Sequence, residues 1–181
     1  MSQRNYPDLY DHIKELRASN LLIEINDPIN KETEMHPLVR WQFRGGIAEA
    51  DRKAFLFTNI IDSLGRNYDL PVIVGALATN PEIYRIGLGC KLDEVGKTWG
   101  RAISNPVKPR LIENAPCHEF VSTGNDLVGV GCGLDALPIP ISTPGFDCAP
   151  YLTATNCITK DPITGIQNMG TYRAGLKASD R

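Results

Sequence analysis

Asn168 and Arg173 are the side chains in this sequence whose types and surroundings point most directly to ligand chemistry. Both fall in a stretch patterned as a β-strand, where neither residue type is favoured for packing, and each needs a polar partner if covered. Their spacing of five poses a difficulty, because on a regular strand of period two they face opposite sides. Gly170 lies between them and offers relief. A glycine inside a strand marks a bulge or a close approach by a ligand or another backbone, and a bulge carries the residues beyond it to the other face. A polar ligand site and an ordinary strand with solvated side chains both satisfy this pattern.

Other groupings carry less. His12, His36 and His118 are far apart in sequence and share no metal-ligand spacing. Cys117 and His118 are adjacent, and neighbouring side chains rarely reach the hydrogen-bonded geometry that activates a thiolate. The run Gly129-Val130-Gly131-Cys132-Gly133 has no Lys-Ser/Thr after it and no long helix to supply a dipole, so a turn between short strands is expected there rather than a phosphate loop. Asp135, Asp147 and Asp161 stand beside turn-forming residues, where local hydrogen bonding accounts for them. Asp8, Asp11, Lys14, Glu15 and Arg17 form the solvated side of an amphipathic helix.

The elements that must position these residues begin after Pro7, where Leu9, Ile13 and Leu16 predict a helix followed by a strand over Leu21 to Ile25. Asp27-Pro28 ends that strand. A second helix is expected over Glu32 to Phe43, with Pro37 obscuring its start and Gly45-Gly46 closing it. The continuously apolar runs Ala54 to Phe57 and Val72 to Val74 predict strands covered on both faces, separated by a loop over Ser63 to Asn67. Further helices are expected from Asn80-Pro81 to Leu88 and from Leu92 to Ile103. Between Asn105 and Pro150 seven prolines interrupt short apolar pieces. Tyr151 to Thr159 and Gln167 to Leu176, joined by the turn Asp161-Pro162-Ile163-Thr164-Gly165, predict a β-hairpin. Such a hairpin cannot cover its own faces, so it must dock on the preceding domain, pair with another subunit, or belong to a sheet completed by sequence beyond this chain.

Composition narrows the class. The chain has 181 residues, of which 42% are hydrophobic and 22% charged, as a globular core requires. A formal charge of -2 and the absence of any basic run argue against nucleic acid as a partner. No apolar run approaches the roughly 20 residues that span a bilayer, and the opening Met-Ser-Gln-Arg-Asn-Tyr lacks a signal segment, so no membrane partner is expected and a cytoplasmic protein is. Five cysteines without a Cys-x-x-Cys pair are expected to be reduced thiols.

Tyr151-Leu152-Thr153-Ala154-Thr155, Ile158-Thr159-Lys160-Asp161-Pro162, Thr164-Gly165 and Asn168-Met169-Gly170-Thr171-Tyr172-Arg173 together resemble the signature of the UbiD-like decarboxylases. Weaker similarity runs back through Leu137-Pro138-Ile139 and Gly145-Phe146-Asp147 to the first helix, Leu21 to Ile25 and Asp27-Pro28. The resemblance implies a reversible, non-oxidative decarboxylase of aromatic, heteroaromatic or α,β-unsaturated carboxylic acids. It implies prenylated FMN as cofactor, supplied by a flavin prenyltransferase, with Mn2+ or Mg2+ and K+. It also implies a metal-ligand role for Asn168, a catalytic role at the substrate carboxylate for Arg173, and flavin contacts at Thr153, Asn168, Thr171, Tyr172 and Arg173.

The architecture expected on this basis is an α/β (α+β) N-terminal domain over residues 1–105, a Pro/Gly-rich linker with short strands over 106–150, and the first hairpin of an FMN-binding split β-barrel over 151–181. Complete members of the family need a further histidine, glutamate and acidic proton donors. The chain is therefore expected to be an N-terminal fragment, inactive alone and homo-oligomeric when full length. The alternative expectation is a non-catalytic or partner-dependent subunit of a multi-subunit carboxylase.

Overall fold

The computed structural model describes residues 8–181, apart from the side chain of Pro116, so the opening residues read above for a signal segment lie outside the described residues. Helix α1 spans Leu9–Ala18 and starts in a reciprocal cap. The Asp8 carboxylate accepts the Asp11 N–H at 3.1 Å and the Asp11 carboxylate accepts the Asp8 N–H at 3.0 Å, satisfying two donors that a helix start leaves open. Asn20, at φ 57°, turns the chain into β1, Leu22–Ile25.

β1 pairs in parallel with β3, Ala54–Phe57, whose other edge pairs antiparallel with β6, Val72–Val74. All four β3 residues are buried, as the unbroken apolar run requires of a central strand. Helix α3, Pro81–Leu88, carries start and stop signals together. The Asn80 side chain accepts the Ile83 N–H at 2.9 Å, Pro81 occupies the first turn, and Gly89 closes the helix in the left-handed region. Leu16, Ala54, Ala76 and Ile83 form the buried cluster that holds α1, the sheet and α3 together, with Leu21, Leu22, Ile73 and Ile86 packed against it. Helix α4, Val95–Ser104, follows a single 3-10 turn at Leu92–Glu94.

A second sheet was not foreseen. β2 (Ile29–Asn30) pairs in parallel with β4 (Ile60–Ile61), which pairs antiparallel with β5 (Asn67–Tyr68). The loop expected over Ser63 to Asn67 thus gives its last residue to a strand. Helix α2 runs over Met35–Arg44, with Pro37 in its first turn, where a missing N–H costs nothing. Gly129, Gly131 and Gly133 take φ values of 118°, 74° and 52° ahead of a 3-10 turn at Gly133–Ala136. No strand flanks this run among the described residues, so the turn expected there joins no strands.

Contacts group the chain into two compact units, one of residues 1–26, 39–57 and 72–121, the other of residues 27–38, 58–71 and 122–181. In the second unit the buried Lys31 ammonium donates to the Ile139 carbonyl at 3.1 Å and lies 5.5 Å from the centre of the Tyr68 ring, while the Ile141 N–H donates to the Lys31 carbonyl. The expected hairpin is present as β7, Tyr151–Lys160, and β8, Gln167–Gly175. Its turn is held by Asp161, whose carboxylate accepts the N–H groups of Ile163 at 2.8 Å and Thr164 at 2.6 Å. The hydrogen bonds of that turn pull the Asp161 carboxyl below the usual range. All five cysteines are unpaired.

The inner cluster sets the stability of the first unit. Ile83→Ala is expected to cost about 2–5 kcal/mol, because a fully buried branched side chain leaves a cavity, whereas Leu64→Ala at a 95% exposed position should stay within about 0.5 kcal/mol. Urea unfolding of the two variants against the parent checks the contrast.

Candidate functional site

β7 and β8 pair one to one from Lys160↔Gln167 to Thr155↔Tyr172, and pair again at Leu152↔Ala174 and Tyr151↔Gly175. Between these stretches Thr153 and Ala154 of β7 oppose Arg173 alone, which is the two-against-one count of a β-bulge. The bulge therefore lies opposite Arg173 and not at Gly170, whose pairing with Cys157 is regular. Gly170 serves another purpose: the Tyr172 ring lies over it, and a Cβ there would collide with the ring. Gly175 plays the same part for Tyr151, whose Cε1 would stand 2.7 Å from an added Cβ.

Because β8 alternates without interruption from Gln167 to Tyr172, Asn168 and Tyr172 share one face, and Thr171 and Arg173 share the other. The difficulty posed by the spacing of five is thus real, and β8 does not resolve it. On the Asn168 face, the amide is exposed opposite Thr159, and further along that face Thr155, opposite Tyr172, has its Oγ1 buried without a hydrogen-bond partner. On the other face the Thr171 hydroxyl donates to the Asn156 side-chain oxygen at 3.1 Å. Thr153, exposed in the bulge, stands across the hairpin from Arg173.

Arg173 is anchored on two sides while remaining 51% exposed. Its Nη2 donates to Asp147 Oδ1 at 3.0 Å, and its guanidinium carbon sits 4.1 Å from the centre of the Tyr151 ring. The Asp147 carboxyl is drawn below its ordinary range chiefly by Arg173, with burial opposing the shift and the Thr143 N–H adding to it. Tyr151 is pushed up, chiefly by its neighbour Cys148. The donor set fits the group implied by the resemblance in kind. Asn168 offers a hard neutral oxygen, Thr155 an unused hydroxyl, and Arg173 a planar cation for a carboxylate. Among the described residues no group of three or more His, Cys, Asp or Glu side chains is placed to hold a metal.

A second charged centre escaped the sequence. Arg66 donates to both carboxylate oxygens of Asp135, at 2.5 and 3.2 Å, to Asp62 at 3.1 Å, and to the Tyr68 hydroxyl. Tyr68 in turn donates to Asp62 at 3.2 Å. A cleft of about 300 Å3 opens beside it, lined by Arg66, Asn67, Tyr68, Leu70, Gly131 and Asp135. Asp135 is pulled down to about 2 by Arg66 and by the Gly131 N–H. Burial raises the Asp62 carboxyl, and hydrogen bonds from Arg66, Leu64 and Tyr68 outweigh it to leave the group below its usual range. Asp135 and Asp147 were expected to make local turn bonds only. Each makes such a bond, to Gly131 and Thr143 respectively, and each also pairs with an arginine distant in sequence. No sequence spacing links those partners.

Residues 13–103 match the 3-octaprenyl-4-hydroxybenzoate carboxy-lyase N-terminal domain, and residues 110–181 match the Rift-related domain of the same carboxy-lyase. The chain belongs to the UbiD family. Among solved structures, it is similar to the UbiD-class enzyme HmfF from Pelotomaculum thermopropionicum in complex with FMN, at 25% identity and a TM-score of 0.76 over 95% of this chain and 35% of that one. It shares its fold with the vanillic acid decarboxylase of Sedimentibacter hydroxybenzoicus in open form, at 21% identity and a TM-score of 0.73 over 97% of this chain and 36% of that one. The same holds for the apo 3,4-dihydroxybenzoic acid decarboxylase of Enterobacter cloacae, at 22% identity and a TM-score of 0.74 over 97% and 36%. The chain thus spans about a third of the length of these structures. The mixed α/β architecture expected from the sequence is the one found, and no described helix is long and apolar enough to cross a membrane.

The Arg66–Asp135 pair gives a pH signature. With its folded pKa held at about 2 against an ordinary 3.8, Asp135 contributes stability that is fully present above about pH 4 and is lost as pH falls through 2. For a pair about a third exposed, the contribution is on the order of 1 kcal/mol. Urea unfolding of the parent and D135N at pH values from 5 to 2 should show the gap between them closing over that window; a gap independent of pH would contradict the assignment.

Proposed function

We propose that this chain is the N-terminal part of a cytoplasmic, reversible, non-oxidative decarboxylase of aromatic, heteroaromatic or α,β-unsaturated carboxylic acids that uses prenylated FMN with Mn2+ or Mg2+ and K+. The observation that carries the reading is the β7–β8 hairpin. It presents an anchored but half-exposed arginine opposite a bulge, and it falls within the match to the Rift-related domain. The likeness to an FMN-bound UbiD-class enzyme supports the cofactor class. On this reading the hairpin opens an FMN-binding split barrel, a flavin prenyltransferase supplies the cofactor, and the complete enzyme is a homo-oligomer.

The bound prenylated flavin would supply the electron sink that no ordinary side chain provides. The chain's own residues hold and orient. Arg173 receives the substrate carboxylate on the guanidinium edge that Asp147 leaves open, where a planar fork can take both oxygens. Asn168 would offer one oxygen to the divalent cation. Thr153, Thr171 and Tyr172 would line the flavin. The remaining metal ligands and the group that returns a proton to the product carbon as CO2 leaves belong to sequence or to a subunit outside this chain.

Three assays test the reading. The purified 181-residue chain supplied with prenylated FMN and Mn2+ should release no CO2 above background, while the complete protein releases it. In the complete protein R173A should lower kcat/KM by about 10²-fold or more, the scale of losing substrate orientation. N168A should weaken Mn2+ binding, followed by electron paramagnetic resonance, by about 10-fold or more. If the complete, cofactor-loaded protein decarboxylates none of a panel of cinnamic, benzoic and furoic acids, the reading is wrong; CO2 release by the short chain would remove only its dependence on further residues.

A further inference from the structure

We propose that Asp147 and Tyr151 are positioning residues that hold the Arg173 guanidinium in the orientation in which it receives a carboxylate, an inference that rests on the function proposed above. Asp147 is itself fixed. Its Oδ2 accepts the Thr143 N–H at 2.7 Å, its own N–H donates to the Thr143 carbonyl at 2.9 Å, and its side chain is only 13% exposed. The remaining oxygen, Oδ1, is therefore aimed by a closed turn rather than by a free rotamer, and it takes one nitrogen of Arg173.

Tyr151 sets the second coordinate. Its ring packs where Gly175 leaves no side chain, and the Arg173 guanidinium lies over that ring. A contact from the ring restrains the guanidinium's plane and a contact from the carboxylate restrains its rotation within that plane, so the two together leave Arg173 little freedom. On the partner strand, Thr153 and Ala154 bulge opposite it, a device that re-aims a side chain next to a site. Thr143, Asp147, Tyr151 and Gly175 thus converge on one arginine from a turn and two strands. Asp147 also places a fixed negative charge beside the incoming carboxylate, so orientation is gained against some affinity.

That opposition yields a signature that a merely structural role does not. In the complete protein, kcat and KM are measured for a turned-over acid with prenylated FMN bound, and the dissociation constant of 4-fluorobenzoate is measured by 19F NMR on the cofactor-free protein. D147A should lower kcat about tenfold through lost orientation. The same variant should tighten 4-fluorobenzoate binding about threefold, as removal of one partly screened rival charge allows. Y151L should lower kcat without tightening the probe, and D147N should fall between D147A and the parent in kcat. The positioning role is overturned if D147A leaves kcat and probe affinity unchanged, or if kcat, KM and probe affinity all worsen together with a lowered Tm. A parent protein that turns over no acid, yet binds the probe more tightly as D147A, would overturn the decarboxylase reading and leave the Asp147–Arg173 geometry standing.

Discussion

From Lys160↔Gln167 to Thr155↔Tyr172 the two strands of the hairpin pair one to one, and then two residues of β7 meet Arg173 alone. Everything the hairpin presents follows from that register. The pleat sends Asn168 and Tyr172 to one face and Thr171 and Arg173 to the other, so one small ligand cannot meet both sets from a single side. A group that touches Asn168 and a group that touches Arg173 must be joined around a strand edge, or be two parts of one extended ligand. A two-part arrangement of that kind is what the proposed cofactor and substrate would require. The two glycines serve this division. Each leaves room for one aromatic ring, Tyr172 over Gly170 on the first face and Tyr151 beside Gly175 on the second. Tyr172 packs along its own strand and Tyr151 packs across the hairpin, each over the backbone of a glycine.

Elements that announce themselves locally were legible in the sequence. The apolar spacing of α1, the Asn80-Pro81 start with its Gly89 stop, the unbroken apolar run of β3, and the Asp161 turn each depend on residues within a few positions of one another, whereas Asp8 and Asp11, expected on a solvated face, form the cap of α1 instead. The β2–β4–β5 sheet was not legible, because strands of two residues show no alternation to detect and the β2–β4 pairing joins residues as distant as Ile29 and Ile60. The site divided along the same line. Asn168 and Arg173 stood out by residue type, and their opposed faces followed from counting. Glycine is the only local cue for a bulge and points to Gly170, whereas the structure puts the bulge across the hairpin at Thr153 and Ala154, neither of which advertises one. The aspartate partners of Arg66 and Arg173 are set by how distant segments fold together, and no spacing rule reaches that far.

The two arginine centres show why one is structural and the other is suited to a ligand. Arg66 meets two carboxylates and a phenol, and its own pKa is raised most by Asp135. Its charge is fully answered within the protein. A ligand entering the adjoining cleft would have to displace a carboxylate that Gly131 and Arg66 already hold well below its ordinary pKa, so the cleft offers an anion little. What the pair does instead is tie β5 to the segment around Asp135, beside the link that Lys31 makes to Ile139. Arg173 has the contrary balance. One carboxylate oxygen and one ring hold it, and half of its surface remains open. A cation with no anchor would lose orientation to rotamer freedom, and a cation with every donor committed would have nothing left for a substrate. Arg173 lies between these limits because its partner carboxylate spends its other oxygen on the turn at Thr143, so a single hydrogen bond is left to hold the guanidinium and the rest of the fork faces outward.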